Sequence, residues 1–229
     1  MLVHGNSSAS AGASRALPPL IQVVDDEVAM QSLFERIGQL CGFDVASYGT
    51  GESFLREYDD DRTGCIVMDL ILPDRSGIEV LQEIFERGSQ LPVVFISGMA
   101  RVSEAVQALK LGSVDFVEKP FDIRQISQVL RRAVDLDVRR RSMLDDTRDL
   151  RDRFDALSPR EGQVMEQIVR GAANKEVAAS LGLSHKTVEV HRSNVMRKTR
   201  AGSLAELVRM HVCLQDHAES KTPPVGSAS

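Results

Sequence analysis

The chain of 229 residues has no tryptophan, and aromatic side chains make up only 4% of it. Proteins that bind single-stranded nucleic acid usually stack the bases on aromatic side chains, so this class of function is poorly supported. A helix that enters the major groove of duplex DNA needs no aromatic side chain. The shortage of aromatic residues therefore disfavours single-strand binding and leaves duplex binding open.

Cysteine is also scarce, because the chain contains only Cys41, Cys65 and Cys213, far apart in the sequence. This spacing fits neither a zinc site nor a framework of disulfides. All three cysteines lie in apolar helical or strand patterns. The patterns predict that each is a small core residue rather than a reactive thiol.

Long apolar runs are missing as well. No run is long enough to span a bilayer, and the N-terminus lacks the basic region and apolar segment of a secretory signal. We therefore expect a cytoplasmic protein without a membrane partner. The chain does contain 42% hydrophobic and 27% charged residues, which is ordinary for globular protein, and its length suits two domains.

Charge is distributed unevenly between the two halves of the chain. Residues 18–122 contain 8 Lys and Arg against 19 Asp and Glu, whereas residues 157–217 contain 9 Lys and Arg against 6 Asp and Glu. An acidic region suits cation binding, and a basic region suits a polyanion such as DNA. Random variation of solvated surface charge is the alternative, so the asymmetry alone assigns no function.

Strand and helix patterns alternate five times in the first half. Short runs rich in Val and Ile predict buried parallel strands, and the segments between them have helical character. Regular alternation of this kind predicts an α/β domain with a doubly wound, five-stranded parallel sheet. The predicted strands lie at about Leu20–Asp25, Phe43–Tyr48, Cys65–Asp69, Pro92–Ser97 and Val114–Val117.

After Leu157 the pattern predicts helices only. Ser158 followed by Pro159 is a strong helix start, and the segment from Gly182 to Ser184 supplies the tight turn of a helix-turn-helix. Before this region, mixed charges with sparse apolar residues predict a solvated helical connector, although its apolar residues could line a partner helix. The predicted boundaries are a disordered extension at 1–17, the α/β domain at 18–136, a helical linker at 137–156, a small all-α helix-turn-helix domain at 157–217 and a disordered tail at 218–229.

Polar residues follow four of the predicted strands. Asp25 and Asp26 come after the first strand, and Asp69, Ser97 and Lys119 come at the ends of three later ones. The carboxyl ends of parallel strands meet at one edge of the sheet, where ligands bind. Three carboxylates suit Mg²⁺, Asp69 could attack a phosphoryl group in line, and Lys119 would add a positive charge on the phosphate. Each residue alone has an ordinary explanation as a cap, turn or solvated side chain, so the prediction depends on their joint order.

The motifs VVDDE, MDLILPDRSG, VFISGMA and GSVDFVEKPF resemble the receiver domain of two-component response regulators, from about Leu20 to the middle of the connector. The resemblance implies that Asp69 is the phosphoacceptor and that the peptide bond before Pro120 is cis. The other residues that it implies are the magnesium ligands Asp25, Asp26, Asp69 and Ile71 (through its backbone carbonyl), the switch residues Ser97 and Phe116, and the phosphate ligand Lys119.

The segment from LSPREGQ to AELVRM resembles the LuxR-type helix-turn-helix domain of the FixJ and NarL group. Helical spacing predicts that Val188, His191 and Val195 face the core, with His191 hydrogen-bonded there. The opposite face would enter the major groove, where some of its residues would contact base edges and its cations would bind phosphates. A solvated face of a protein-binding bundle is the alternative. The predicted DNA-binding residues are Lys175, Lys186, Thr187, Glu189, Val190, Arg192, Ser193, Arg197 and Lys198.

Together the two resemblances imply a transcription regulator that a sensor histidine kinase phosphorylates on Asp69. Phosphorylation would promote homodimerisation and binding to promoter DNA, where RNA polymerase is the further partner, and the FixJ-like motifs favour activation. One alternative is an aspartyl-phosphate phosphatase, although such enzymes carry a second acid two residues after the nucleophile, where this chain has Ile71. The other is an interaction module that dimerises without ever being phosphorylated.

Overall fold

The computed structural model describes residues 17–98 and 102–219, with the side chains of 102–105 and 216–219 left aside. The two terminal segments predicted to be disordered lie outside the described residues, apart from Leu17, Ala218 and Glu219. The chain separates into two compact units, Met1–Arg141 and Ser142–Ser229. None of the helices in the described ranges combines the length and the hydropathy that a bilayer-spanning helix needs.

The first unit contains a parallel sheet of five strands. The strands are β1 (Leu20–Val24), β2 (Asp44–Tyr48), β3 (Gly64–Asp69), β4 (Val93–Ser97) and β5 (Asp115–Glu118). Their order across the sheet is β2-β1-β3-β4-β5, so that the direction of winding reverses beside β1. A crevice forms at such a reversal, beyond the carboxyl ends of β1 and β3. The predicted doubly wound, five-stranded parallel sheet is confirmed.

Four helices connect the strands of the first unit, and a fifth follows the last strand. Several begin at the caps that their sequences provide: Ser76 forms a capping box with Glu79, and Thr50 accepts a hydrogen bond from the Ser53 N–H. The αL conformation of Gly42 ends the first helix. The helices are α1 (Val28–Cys41), α2 (Gly51–Glu57), α3 (Gly77–Glu86), α4 (Val102–Lys110) and α5 (Ile123–Asp155).

Two apolar layers cover the two faces of the sheet. One layer includes Phe34 of α1 and Leu130 of α5, and the other includes Phe54 of α2 and Leu81 of α3. Because both faces of the central strands are buried, β1, β3 and β4 consist almost entirely of buried residues. This burial explains the near-continuous apolar runs in the sequence.

Helix α5 continues through the arginine-rich segment, as predicted, but Asp137 is buried and Arg140 and Arg141 are half-buried, whereas Val138 and Arg139 are exposed. The Asp137 side chain has no exposed surface, and its carboxylate accepts hydrogen bonds from the Gly64 N–H at 3.0 Å and from Arg140 and Arg141 at 2.8 Å each. Arg141 also donates to backbone carbonyls of the α2–β3 loop, which includes Asp61. The prediction of a solvated connector is therefore wrong for Asp137, because its carboxylate closes the edge of the sheet at which β3 begins.

The second unit consists of helices, as predicted. Apolar residues from its helices, among them Val164, Val177, Val188 and Leu207, form one core. Ser158 and Glu161 form a capping box at the start of the domain. After the end of α5, the helices are α6 (Pro159–Val169), α7 (Asn174–Leu181), α8 (His185–Thr199) and α9 (Leu204–Glu219).

The three cysteines differ in their surroundings. Cys65 of β3 is fully buried, and burial raises the pKa of its thiol well above the usual range. Cys41 is half-buried, and Cys213 of α9 is exposed. The prediction of a core position is therefore correct for Cys65 and wrong for Cys213, because apolar periodicity on a short helix does not settle which of its faces is packed.

Candidate functional site

The carboxyl ends of the strands bring the predicted polar residues together at one pocket, which Asp26, Asp69, Ser97 and Lys119 line, whereas Asp25 is buried beside it. Asp25 directly follows β1, Asp69 ends β3, Ser97 ends β4 and Lys119 directly follows β5. The pocket has a volume of about 360 Å³. Its lining consists of Asp26, Glu27, Asp69, Ile71, Leu72, Pro73, Ser97, Gly98 and Lys119.

The ammonium group of Lys119 lies at the centre of the site. Its Nζ donates to Asp69 Oδ2 at 2.7 Å, to Asp25 Oδ2 at 2.8 Å and to Glu27 Oε1 at 3.2 Å. Burial alone would lower the pKa of Lys119, but its hydrogen bonds to Asp25 and Asp69 outweigh burial and raise the pKa above the usual range. Lys119 is therefore a fixed positive charge next to Asp69.

Asp25 is fully buried at the back of the site. Its Oδ1 accepts a hydrogen bond from the Glu27 N–H at 2.8 Å. Burial raises the pKa of the Asp25 carboxyl, while the hydrogen bonds from Lys119 and Glu27 oppose this shift. A buried carboxylate that remains costly to ionise gains from a nearby cation, which is the electrostatic setting of a metal ligand.

Hydrogen bonds hold Asp69 in a defined orientation. Its Oδ1 accepts from the Ile71 N–H at 3.0 Å, whereas Oδ2 accepts from Lys119. The loop after β3 packs tightly behind it, since a Cβ added to Gly77 would lie 2.2 Å from the Asp69 carbonyl oxygen. Ile71 itself turns its side chain to solvent, with 65% of the residue exposed. The Asp69 carboxylate thus faces the pocket from a constrained backbone.

Three acidic residues could hold a metal ion together. Carboxylate oxygens of Asp25, Glu27 and Asp69 all lie within 4.8 Å of one another. Asp26, a predicted ligand, is exposed and lines the pocket but is not part of this cluster. Glu27 was missed in the sequence, although alternation along an extended chain points residues 25 and 27 in the same direction and could have identified it.

The remaining predicted residues of the receiver site lie on β4 and β5. Ser97 is 2% exposed, and its backbone carbonyl accepts from the Lys119 N–H at 2.8 Å. Phe116 pairs in register with Phe95 and packs, partly buried, against the apolar layer of α2 and α3. The peptide bond between Lys119 and Pro120 is cis, which confirms that prediction.

In the second unit, α8 has the predicted buried and exposed faces. Val188 and Val195 are fully buried. His191 is half-buried, and its Nδ1 is shielded from solvent without a hydrogen-bond partner among the described residues, so the expected hydrogen bond is not observed. The opposite side of the helix exposes Lys186, Glu189, Val190, Ser193 and Arg197.

The other predicted DNA-binding residues have more varied surroundings. Lys175 is exposed at the start of α7, the Thr187 N–H donates to the cap residue Ser184, and Arg192 donates to Asn174 Oδ1 of α7 at 3.0 Å. Arg192 thereby joins the two helices of the helix-turn-helix.

Lys198 makes an ion pair inside its own domain. Its Nζ donates to Glu161 Oε2 at 2.6 Å and to the Ala156 carbonyl at 3.0 Å. The hydrogen bond from Lys198 lowers the pKa of Glu161 to about 2. An ammonium held in this way is poorly placed to bind a DNA phosphate, because it would first have to leave a buried carboxylate.

Comparisons with known proteins relate each unit to a family. Residues 21–131 match the response regulator receiver domain, and residues 155–211 match the luxR family of bacterial regulatory proteins. The chain is 40% identical to the transcriptional regulatory protein FixJ of Rhizobium meliloti over 190 residues, which cover 83% of this chain and 93% of FixJ. It is 34% identical to the response regulator protein TodT of Pseudomonas putida over 200 residues, which cover 87% of this chain and 88% of TodT.

Solved structures give the same result. The response regulator StyR superposes with a TM-score of 0.80 at 31% identity, covering 86% of this chain and 99% of StyR. Full-length FixJ from B. japonicum has a TM-score of 0.54 at 35% identity and covers 86% of this chain and 98% of its own. Both similarities extend over the two units.

Proposed function

Because this chain belongs to the response regulators that join a receiver domain to a LuxR-type helix-turn-helix domain, we propose that phosphorylation of Asp69 controls its binding to duplex DNA. The family consists of transcription regulators that bind DNA. The observation that carries the proposal is the position of Lys119, whose ammonium contacts both Asp25 and Asp69 within 2.8 Å at the ligand edge of the sheet.

The chemical step is transfer of a phosphoryl group from a phosphohistidine of a sensor histidine kinase. A carboxylate oxygen of Asp69 attacks phosphorus, an O–P bond forms as the N–P bond breaks, and the histidine nitrogen keeps the electron pair. The Lys119 ammonium exchanges part of its contact with the Asp69 carboxylate for the phosphoryl oxygens, where it stabilises the transferred charge.

We propose Mg²⁺ as the cofactor, because the donors that converge in the pocket are the hard oxygen ligands that this ion prefers. Asp25 and Asp69 would bind it, with Asp26 and the Ile71 carbonyl as the further ligands implied by the family. Glu27 contributes negative charge at the mouth of the pocket. When bound, the ion neutralises negative charge on the phosphoryl oxygens.

The phosphorylated side chain then favours a second conformation. A phosphoryl group adds up to about two negative charges, and the Ser97 hydroxyl and the Lys119 ammonium are the groups positioned to bind it. Movement of Ser97 would allow Phe116 to repack on the neighbouring strand. The phosphoryl group can shift the equilibrium only by binding better to the active conformation than to the inactive one.

In the active conformation the chain is proposed to dimerise and to place two helix-turn-helix domains on a two-fold promoter site. Residues near the start of α8 would lie closest to the bases, and cations would bind phosphates. Lys198 is left out of this set because it pairs with Glu161. RNA polymerase as a further partner, activation and a cytoplasmic location belong to the same proposal. The proposed contacts are Lys175, Lys186, Thr187, Glu189, Val190, Arg192, Ser193 and Arg197.

The proposal is tested by incubating the full chain with a small phosphodonor and Mg²⁺. We expect covalent phosphate, detected by intact mass and peptide mapping, on wild type but not on Asp69→Ala. Wild type should then bind duplex DNA more tightly. Asp135→Ala is the matched control, because it makes the same substitution at an exposed residue of α5 and should behave as wild type.

Other outcomes of this experiment would favour the alternatives. Rapid release of phosphate from many phosphorylated compounds would support a phosphatase, a reaction that the absence of an acid at position 71 disfavours. Equal dimerisation and DNA affinity with and without the phosphodonor would support an interaction module that is never phosphorylated. Either result would contradict the proposed role of Asp69.

A further inference from the structure

The residue that ends α8 has a backbone conformation that is otherwise found only at glycines in the described part of the chain. Among the described residues, positive φ angles occur at five glycines and at one other residue, Arg200, with φ of 59°. Glycine adopts this left-handed conformation freely, whereas a Cβ makes it strained for arginine. The glycines, each just after a helix, are Gly42, Gly88, Gly112, Gly171 and Gly182.

The fold requires the left-handed conformation at position 200, whatever residue is there. The backbone N–H groups of Arg200 and Ala201 both donate to the Met196 carbonyl, which closes the helix. The turn also brings Ala201, only 7% exposed, into the core of the second unit. Glycine would therefore suit this position best if stability alone decided the residue.

No contact of the Arg200 side chain within the described residues offsets the strain of its backbone. It is exposed, and in the described part of the chain its guanidinium makes no hydrogen bond or ion pair. The favourable interaction of a cation with the helix dipole is already supplied by Arg197 and Lys198 in the last turn of α8. Strain at a position without internal contacts points to a partner outside the chain.

Arg200 lies at the C-terminal end of the helix whose exposed face is proposed to meet DNA. Positions 186, 190, 193 and 197 alternate steps of four and three residues and so lie on one side of α8, and Arg200 directly follows the last residue of that helix. Lys198 does not belong to this series and is held by Glu161. Arg197 and Arg200 are thus the exposed cations at the C-terminal end of α8.

We propose that Arg200 binds a phosphate of duplex DNA and that arginine is retained there for this contact despite the strained backbone. The inference depends on the proposed DNA binding and adds a residue to it. Such a contact positions the protein on the duplex but does not select a base sequence, because every nucleotide has the same phosphate group. Arg200 should therefore contribute equally to every site that the protein binds.

The test separates the charge of Arg200 from its strain. Arg200→Gln removes the charge and keeps the strain, whereas Arg200→Gly removes both. Arg209→Gln removes the same charge from an exposed position on α9 and serves as control. Phosphodonor-treated full chain is titrated with a duplex of about 30 base pairs, selected by the wild type from random sequence, at several salt concentrations. Hydrogen exchange of α8 amides reports local stability.

We expect both Arg200 variants to bind about five- to tenfold more weakly at low salt, and the slope of log affinity against log salt to fall by about one. Arg200→Gly should also slow hydrogen exchange in α8, so that stability rises as affinity falls. Arg209→Gln should match wild type in affinity and slope.

Wild-type affinity and salt slope in both Arg200 variants, with Arg197→Ala weakened, would overturn this inference and leave the proposed function standing. Loss of affinity that is equal in Arg209→Gln would also overturn it, since net charge alone would then explain the effect. Failure of wild type to bind any duplex would instead overturn the proposed function, and this inference with it.

Discussion

The two edges of the parallel sheet hold buried carboxylates in opposite electrostatic settings. At the edge where the strands end, one ammonium, that of Lys119, contacts three carboxylates, those of Asp25, Glu27 and Asp69. At the edge where the strands begin, one carboxylate, that of Asp137, accepts hydrogen bonds from two guanidinium groups and one backbone N–H. The Lys119 cluster has an excess of carboxylates, whereas the Asp137 cluster has an excess of cations.

Because of this difference, the Lys119 cluster can accept a further cation, whereas the Asp137 cluster cannot. Arg140, Arg141 and the Gly64 N–H together satisfy both oxygens of Asp137, so that cluster has no use for a further cation. The excess of negative charge beside Lys119 is best relieved by a divalent cation. We infer that the Asp137 cluster stabilises the fold and that the Lys119 cluster carries the chemistry.

The largest expected effect is on stability, at the Asp137 cluster. Asp137→Ala should lower the free energy of unfolding of the first unit by about 2–4 kcal/mol, because it leaves the Gly64 N–H and two half-buried guanidinium groups without their partner. Denaturant unfolding of the full chain, with hydrogen exchange of β3 amides, measures this. Asp135→Ala changes an exposed residue of the same helix and should cost no more than about 0.5 kcal/mol. Equal losses in the two variants would contradict a structural role for Asp137.

In the Lys119 cluster, Lys119→Ala should uncouple phosphorylation from DNA affinity. We expect Mg²⁺ to bind at least as well as in wild type, because a competing ammonium is gone, while the gain in DNA affinity on treatment with phosphodonor, about 5- to 150-fold for a typical coupling of this kind, is lost. Titration with Mg²⁺ and with duplex DNA measures the two effects. Lys110→Ala, at an exposed lysine of α4, is the control. A gain in affinity that persists in Lys119→Ala would refute its role.

A smaller effect is expected in the second unit, where Lys198 lowers the pKa of Glu161 to about 2 from the usual 4.5. The ionised Glu161 therefore contributes stability that is complete above about pH 5 and is lost as the pH falls through 2. Unfolding of the second unit, followed by hydrogen exchange of α6 between pH 5 and pH 2, should show this loss in wild type. In Glu161→Gln, which cannot titrate, the loss should be smaller. An unchanged pH dependence would show that the ion pair is not formed in solution.

The smallest effect expected is of opposite sign and is found at Asp25, where burial raises the pKa. A raised pKa means that the stability contributed by this group is present below its unfolded value near 3.8 and is lost as the pH rises through the folded pKa. Asp25→Asn should therefore make the first unit modestly more stable at pH 7 without Mg²⁺, while Mg²⁺ ceases to add stability. A less stable variant under these conditions would contradict the cost assigned to the buried Asp25 carboxylate.

The part of the site that could be predicted from sequence follows from one geometric rule. Parallel strands bring their carboxyl ends to one edge, so Asp25, Asp69, Ser97 and Lys119 could be placed together from the strand pattern alone. The switch role proposed for Phe116 comes only from the family resemblance, because a half-buried aromatic residue in a strand has no distinctive local pattern.

What could not be predicted depends on contacts between distant positions. Asp137 lies 73 residues from the Gly64 N–H that it accepts from, and Lys198 lies 37 residues from Glu161. Local sequence describes both as charged residues on helices, which favours solvent exposure. Only the packed chain shows that the Asp137 carboxylate closes a sheet edge and that Lys198 is engaged within its own domain.

The central claim is that a phosphoryl group on Asp69, beside Lys119 and a divalent cation, increases the affinity of this chain for duplex DNA. Its most direct test is a DNA titration of wild type and Asp69→Asn, each with and without a small phosphodonor in the presence of Mg²⁺. We predict that affinity rises on phosphodonor treatment in wild type only. An equal rise in Asp69→Asn, or no rise in fully phosphorylated wild type, would contradict the claim.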